Sequence, residues 1–237
     1  MSEPWSGGPP SQDGHEPAIT APAPALWLVG LLVAAYLFQT LAAPPALVDA
    51  LVYSPEPGPL SRPVSLFTAI WLHGGWGHLG MNAAFALAFA TPLARFFGTG
   101  PRGVASLFLF FLACGAIGNL GFGILHAGQS YGLLGASGGV SGLAAGAARI
   151  VGGEGGIGRL RSPFVLSMGG AWIVSNLLVA LTGGALLSGG AQIAWEAHLA
   201  GFAAGLLLLR PFARLAGVRW AGRRARISLP RHRGGGS

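Results

Sequence analysis

Gly135-Ala136-Ser137-Gly138-Gly139 places a single serine among small residues, where a long apolar segment begins. Small neighbours are what an exposed nucleophile needs, because bulky side chains would keep a substrate backbone away from the hydroxyl. The stretch also matches the G-x-S-x-G nucleophile elbow of soluble hydrolases. In a chain with 41 glycines that match is weak by itself, so the meaning of Ser137 depends on what surrounds it.

The composition of the whole chain is that of a membrane protein. Of the 237 residues, 52% are hydrophobic and only 9% are charged, whereas soluble domains carry about 25% charged residues. This length leaves room for about six membrane-spanning helices of roughly 20 residues, together with their loops. The only cysteine of the sequence, Cys114, lies in an apolar run, which excludes a disulfide framework and a cysteine metal site.

Six apolar segments lie between two polar tails. Residues 1–24 are rich in Pro, Gly and Ser and contain no Lys or Arg, so they are predicted to be a disordered tail rather than a signal peptide. Residues 25–212 are predicted to form one membrane domain, and residues 213–237 a basic tail. The predicted spans are about 25–41, 77–96, 103–125, 135–150, 163–187 and 192–212.

Arginine supplies all 14 cationic side chains, and the net charge is +7. If the loops alternate between the two sides of a membrane, every arginine except Arg62 falls on one side. Arginine-rich loops face the cytoplasm, so both termini are predicted to be cytoplasmic, and the loops after the first, third and fifth spans to face outward. The basic tail then indicates orientation and contact with anionic membrane lipid, and we expect no nucleic-acid binding.

Four polar residues lie inside the predicted spans, where an unpaired polar group is costly. They are His78, Asn82, Ser137 and His198. His78 and Asn82 are four residues apart and therefore share a helix face. The predicted topology places all four toward the outer ends of their spans, with His73 just above them, so they share a depth and meet one necessary condition for a common site.

Glycines at regular spacing predict close packing between the fourth and sixth spans. Small residues four apart let two helix backbones approach closely, and such an approach would bring Ser137 near His198. The glycines concerned are Gly138 and Gly142 in the fourth span and Gly201 and Gly205 in the sixth.

The chemistry of peptide hydrolysis needs this set of groups. A serine hydroxyl is a poor nucleophile until a base takes its proton, and His198 can act first as that base and then as the acid for the leaving amine. The tetrahedral intermediate needs hydrogen-bond donors, which His78, Asn82 and the Ser137 backbone N–H can supply. No acidic residue fits a triad, so a Ser–His dyad is predicted. The alternative is that the serine bonds back to its own helix and that the other polar groups only join helices.

These motifs resemble those of rhomboid intramembrane serine proteases. The matching stretches are, in chain order, His73-Gly-Gly-Trp-Gly-His78-Leu-Gly-Met-Asn82, Gly135-Ala-Ser137-Gly138 and Ala197-His198-Leu-Ala-Gly201. The likeness covers about residues 25–212. It implies an all-α membrane protein, a bacterial-type bundle of six transmembrane helices in the cell (inner) membrane, with a water-filled cavity open to the extracytoplasmic side.

The same resemblance implies the roles of the site residues. Ser137 would be the nucleophile, His198 the base, His78 and Asn82 the oxyanion hole, and His73 a residue at the cavity mouth. Rhomboids cut the transmembrane segments of other membrane proteins near the outer face and use no metal or cofactor. The expected partners are therefore transmembrane protein substrates and membrane lipid.

Two positions depart from the family pattern. Rhomboids often have a Trp-Arg pair eight or nine residues before the first histidine, where this chain has Val64 and Ser65, with Arg62 nearby. They also often have an aromatic residue four after the serine, under the catalytic histidine, and here that position is Ser141. The first departure concerns how the loop is anchored, and the second concerns what supports His198.

Three rival interpretations remain open from the sequence. A catalytically silent relative would bind transmembrane clients, although every catalytic position is intact. A small transporter or metal carrier would use the histidines His73, His78, His126 and His198, but the spans lack the carboxylates that ion coupling usually needs. A soluble α/β hydrolase would need a strand before Ser137 and is opposed by the hydropathy.

Overall fold

A computed structural model of the chain describes residues 21–154, 156–182 and 193–219. Within them lie eight α-helices and a short 3₁₀ turn at Ala69–Trp71. The helices are α1 (Ala23–Leu41), α2 (Pro45–Leu51), α3 (Ser65–Thr68), α4 (Trp76–Phe97), α5 (Pro101–Leu125), α6 (Ser137–Val151), α7 (Pro163–Thr182) and α8 (Trp195–Leu215).

Proline and glycine set most of the helix boundaries. Proline occupies the first turn of α1, α2 and α5, where its fixed φ suits a helix and its missing N–H costs nothing. Gly98, with a φ of +89°, separates α4 from α5. The first helix begins at Ala23, two residues before the predicted start of the membrane domain.

Three of the helices, α1, α4 and α5, are long and apolar enough to cross a bilayer. The apolar segment Pro163–Leu178 of α7 is shorter. The described residues thus form a helical protein with three clear candidate spans, and the predicted total of six spans remains a prediction. Residues 1–20, 183–192 and 220–237, which include most of both predicted tails and the predicted start of the sixth span at Gln192, lie outside the described residues.

The centre of the bundle is α6. Every residue from Gly138 to Arg149 is buried, and α4, α5, α7 and α8 all contact this helix. Small side chains make this possible, because α6 consists largely of Gly, Ala and Ser. Ser137, its first residue, therefore stands at the end of an enclosed helix.

The segments at the Ser137 end of the bundle are tied together. Tyr53 and Leu133 form an isolated antiparallel bridge, with N···O distances of 3.1 and 2.8 Å. At α5 and α8, Nε2 of His126 lies 3.2 Å from Oε1 of Glu196. The loop predicted over residues 42–64 contains the short helix α2, and the Arg62 guanidinium donates to the Ala50 carbonyl near its end. Arg62 therefore anchors this loop by capping α2.

Candidate active site

Ser137 is the first residue of α6 and is half-buried. The first N–H groups of a helix have no partner within the helix, and they carry the positive end of the helix dipole. The Ser137 hydroxyl therefore lies beside backbone donors that favour a developing negative charge. This is the local arrangement that an oxyanion requires.

Gly135 lies between the side chains of Ser137 and His78. Its φ is +129°, a backbone conformation that favours glycine. A Cβ atom built on Gly135 would lie 2.8 Å from Nε2 of His78 and 3.8 Å from Oγ of Ser137. The imidazole of His78 and the hydroxyl of Ser137 thus border the same small space, which exists because residue 135 has no side chain.

The hydrogen bonds around His78 assign its tautomer. The backbone N–H of Gly74 donates to Nδ1 of His78 at 3.3 Å. An N–H group only donates, so Nδ1 accepts, and in a neutral ring the proton is then on Nε2. His78 therefore presents an N–H donor toward the space beside Gly135 and Ser137.

Asn82 lies one turn further along α4 and is only 5% exposed. Its side-chain nitrogen donates to the His78 carbonyl at 3.0 Å. An amide nitrogen carries two hydrogens, so this local bond uses one of them and leaves the second for another acceptor.

His73 is buried against the same ring. Its imidazole lies 5.2 Å from that of His78, centroid to centroid, in an edge-to-face arrangement. Burial lowers the pKa of His73 to about 4, and repulsion from His78 adds to the shift, so the ring is neutral at pH 7. Neither ring nitrogen has a hydrogen-bond partner in the part of the chain that the structure describes.

The backbone of residue 73 is held by Gln39 of α1. The Gln39 amide nitrogen donates to the His73 carbonyl, and the His73 N–H donates back to the Gln39 side-chain oxygen, both at 2.9 Å. This reciprocal pair fixes the loop before α4 to the first helix.

His198 lies in the first turn of α8, and its neighbour on the chain contacts α6. A Cβ on Gly138 would lie 3.5 Å from the Ala197 carbonyl oxygen, so the residues adjacent to Ser137 and His198 face each other. Between the two described side chains themselves the structure has no direct hydrogen bond. Catalytic hydrogen bonds are often long before substrate binds.

The partner of the His198 ring is Asn176 of α7, with Nδ1 2.7 Å from the Asn176 side-chain oxygen. Ser141, the position that is often aromatic in rhomboids, donates its hydroxyl to the Ser137 carbonyl at 2.7 Å. Ser141 therefore holds the start of α6, and the ring of His198 is held from another helix.

Glycines make the contact between α6 and α8 close. A Cβ on Gly201 would clash with the Gly138 carbonyl oxygen, and one on Gly205 would clash with that of Gly142. Gly118 of α5 is confined in the same way, since its Cβ would lie 2.7 Å from the Ala197 carbonyl oxygen. Backbone contact among three helices sets the distance between the segments that carry Ser137 and His198.

Asn176 and Gln39 were missed in the sequence interpretation. Both are amides inside largely apolar helices, which is the signal that singled out Asn82. The sequence does not say which polar residue such an amide meets, because each partner lies on a distant part of the chain.

A family model described as the rhomboid domain matches residues 61–214. A search of the curated proteins finds no significant match. The matched segment covers more than half of the chain and contains His73, His78, Asn82, Ser137, Asn176 and His198. The resemblance seen in the sequence motifs is therefore confirmed, and with its apolar helices this membrane protein belongs to the rhomboid family.

Proposed function

We propose that this rhomboid protein is an intramembrane serine endopeptidase that cleaves transmembrane segments of other membrane proteins through Ser137 and His198. The observation that carries the proposal is the convergence of Ser137, at the open end of α6, with the Nε2–H of His78. Nucleophile and oxyanion donor border one space, which is one of the geometric requirements for acyl transfer.

The proposed reaction proceeds in two displacements. Oγ of Ser137 attacks the scissile carbonyl carbon while its proton passes to Nε2 of His198. The resulting oxyanion accepts hydrogen bonds from the Ser137 backbone N–H, His78 and Asn82. The C–N bond then breaks, and His198 returns the proton to the leaving amine. Water, deprotonated by His198, hydrolyses the acyl-enzyme and restores the serine.

The length of α6 supports cleavage below the membrane surface. This helix has 15 residues, which at about 1.5 Å per residue falls short of the roughly 30 Å of a bilayer core. When the C-terminal end of such a short helix lies near the opposite membrane surface, its first residue lies inside the hydrocarbon region. Ser137 would then act at a depth where transmembrane substrates lie.

The alternative within the family is a catalytically silent protein that binds transmembrane clients. Labelling by a fluorophosphonate probe in detergent separates the two, because the probe reacts only with an activated serine. We expect the parent protein to be labelled and the Ser137→Ala and His198→Ala variants to remain unlabelled. Ser175→Ala is the matched control, since Ser175 is exposed on α7 and its loss should leave labelling unchanged.

Each other outcome has a definite meaning. A folded parent that is not labelled would favour the silent client-binding protein. Labelling that survives Ser137→Ala would show that another residue is the nucleophile. For a labelled parent, incubation in liposomes with single-span membrane proteins and mass analysis of the products would then identify the cleaved bond.

A further inference from the structure

Asn176 is a buried amide on the largely apolar helix α7, and it is 5% exposed. Both ends of its side chain are engaged. Its nitrogen lies 2.8 Å from the carbonyl oxygen of Trp172, one turn earlier on α7. Its oxygen lies 2.7 Å from Nδ1 of His198 on α8. A buried amide in an apolar helix is costly unless its hydrogen bonds are satisfied, and this one is satisfied by one local and one interhelical bond.

The local bond fixes the orientation of the amide. A carbonyl oxygen only accepts hydrogen bonds, so the group facing Trp172 must be the NH₂ of Asn176. A flipped amide would place two oxygens against each other there. The Asn176 oxygen therefore faces His198, and it accepts a hydrogen bond that only an Nδ1–H can donate.

The orientation of the amide in turn assigns the tautomer of His198. A neutral imidazole with its proton on Nδ1 has an unprotonated Nε2, and Nε2 is the atom that must take the proton of Ser137. When that proton arrives, the ring becomes cationic, and its Nδ1–H bond to the Asn176 oxygen strengthens because charge-assisted hydrogen bonds are the stronger ones.

No carboxylate among the described residues takes the place of Asn176 as hydrogen-bond acceptor for Nδ1 of His198. The acid nearest to His198 in the chain is Glu196, and its carboxylate faces His126 at 3.2 Å. Among the described residues, His78 on α4 is the titratable side chain near enough to His198 to act on it electrostatically. A neutral acceptor also costs less to bury in an apolar helix than an unpaired carboxylate would.

We propose that Asn176 is the positioning residue of the catalytic base, holding His198 in the Nδ1–H tautomer and directing Nε2 toward Ser137. The proposal rests on the proposed function of Ser137 and His198. It turns the predicted dyad into a Ser–His–Asn triad in which the third, positioning group comes from α7.

The test uses the full-length protein in detergent and the variants Asn176→Leu and Ser175→Ala. Leucine is similar in size to asparagine but offers no acceptor. Ser175 is the exposed neighbour on the same helix and donates to the same Trp172 carbonyl as Asn176, so Ser175→Ala controls for a change at that carbonyl alone. We expect Asn176→Leu to lower the second-order rate constant of fluorophosphonate labelling about 10- to 100-fold, the contribution of one hydrogen bond to a charged group. Ser175→Ala should label at the parent rate, and thermal unfolding will verify that both variants are folded.

A second measurement reads the tautomer directly. Nitrogen-15 NMR of protein labelled in its six histidines distinguishes Nδ1–H from Nε2–H, and His198→Ala identifies the signals of His198. We expect Nδ1–H in the parent and a mixture of tautomers in Asn176→Leu. The parent measurement needs no variant at position 176. It therefore tests the predicted Nδ1–H tautomer of His198 even if Asn176→Leu does not fold.

The outcomes separate the two proposals. A folded parent that is not labelled at Ser137 overturns the proposed function. A parent that is labelled at Ser137 while His198 carries its proton on Nε2 overturns the role of Asn176 alone. An Asn176→Leu variant that is folded and labelled at the parent rate does the same.

Discussion

Gly135 shows how a single missing side chain can create a space that two polar side chains share. The residue has a φ of +129°, and its absent Cβ leaves the space that His78 and Ser137 share. The neighbouring groups are held by backbone atoms, since Gly74 donates to His78 and Asn82 bonds the His78 carbonyl. Side chains held in this way need little reorganisation when charge develops beside them.

Substituting Gly135 by alanine should therefore strongly reduce catalysis. The added methyl would meet the His78 ring at 2.8 Å and displace the Nε2–H donor. Loss of one oxyanion donor lowers turnover by about 100-fold or more, so we expect at least that fall in the rate of fluorophosphonate labelling.

Gly128 provides the control for Gly135→Ala. It also has a positive φ, of +77°, but no atom lies within 4 Å of its Cβ position. Gly128→Ala should cost about 1–2 kcal/mol of backbone strain and retain labelling. Equal loss of labelling in both variants would mean that strain, and not contact with His78, is responsible.

The helices that meet at the site differ in how they are packed. The interface between α6 and α8 is glycine against glycine, with no space for a methyl group at Gly201 or Gly205. Helix α7 instead exposes large apolar side chains such as Ile173 and Leu177. The contact between glycines fixes the distance between the α6 and α8 backbones. Helix α7 instead has a face that we expect to contact lipid.

Gly201→Ala should consequently destabilise the protein. Its methyl would clash with the Gly138 carbonyl oxygen, and we expect a loss of about 1–3 kcal/mol, as for other overpacked sites. Gly170→Ala on α7 is the control, because its Cβ position is open and alanine favours a helix by about 0.5–1 kcal/mol. Thermal unfolding in detergent measures both, and a neutral Gly201→Ala would contradict the close packing described here.

Across the whole molecule, the site and the cations lie at opposite ends of the same helices. In α4, α6 and α8 the histidines and Ser137 are at the first turns, and arginines are at the last ones. Arginine-rich ends face the cytoplasm. We therefore propose that the site opens on the extracytoplasmic side, with both termini in the cytoplasm.

Cysteine labelling can test this orientation, because the native Cys114 is fully buried. Gln129→Cys lies on the exposed loop beside the site, and Arg102→Cys lies at the exposed start of α5. In intact cells, a membrane-impermeant maleimide should modify Gln129→Cys and spare Arg102→Cys. The reverse pattern would invert the proposed topology.

How much of the fold and of the candidate site could be predicted depended on how far apart in the sequence the interacting residues lie. Helix starts were close to their predicted places, such as Pro101 for a predicted 103, because local proline and glycine chemistry decides them. The short helix α2 was not predicted, since seven residues between prolines give too little periodicity to recognise. The sequence also predicted that His78, Ser137 and His198 lie toward the same end of the bundle, because the predicted spans place them at the same depth.

The contacts of Asn176 and Gln39 could not be predicted from the sequence in the same way. Asn176 meets a ring 22 residues away, and Gln39 a backbone 34 residues away. Such pairs depend on how the helices rotate about their axes, and packing settles that rotation. The tautomer of His198 follows from its contact with Asn176, so it too required the three-dimensional arrangement.

The bond between Asn176 and His198 also has a mechanical consequence. It joins two helices, so a separation of α7 from α8 by about 1 Å takes the 2.7 Å contact beyond hydrogen-bonding range. Bilayer thickness acts on the tilt and association of helices with lipid-facing surfaces, and so on the separation between them. Under the proposed function, this couples the orientation of His198 to the elastic state of the surrounding membrane, and we expect the same chain to turn over substrate at different rates in thin and thick bilayers.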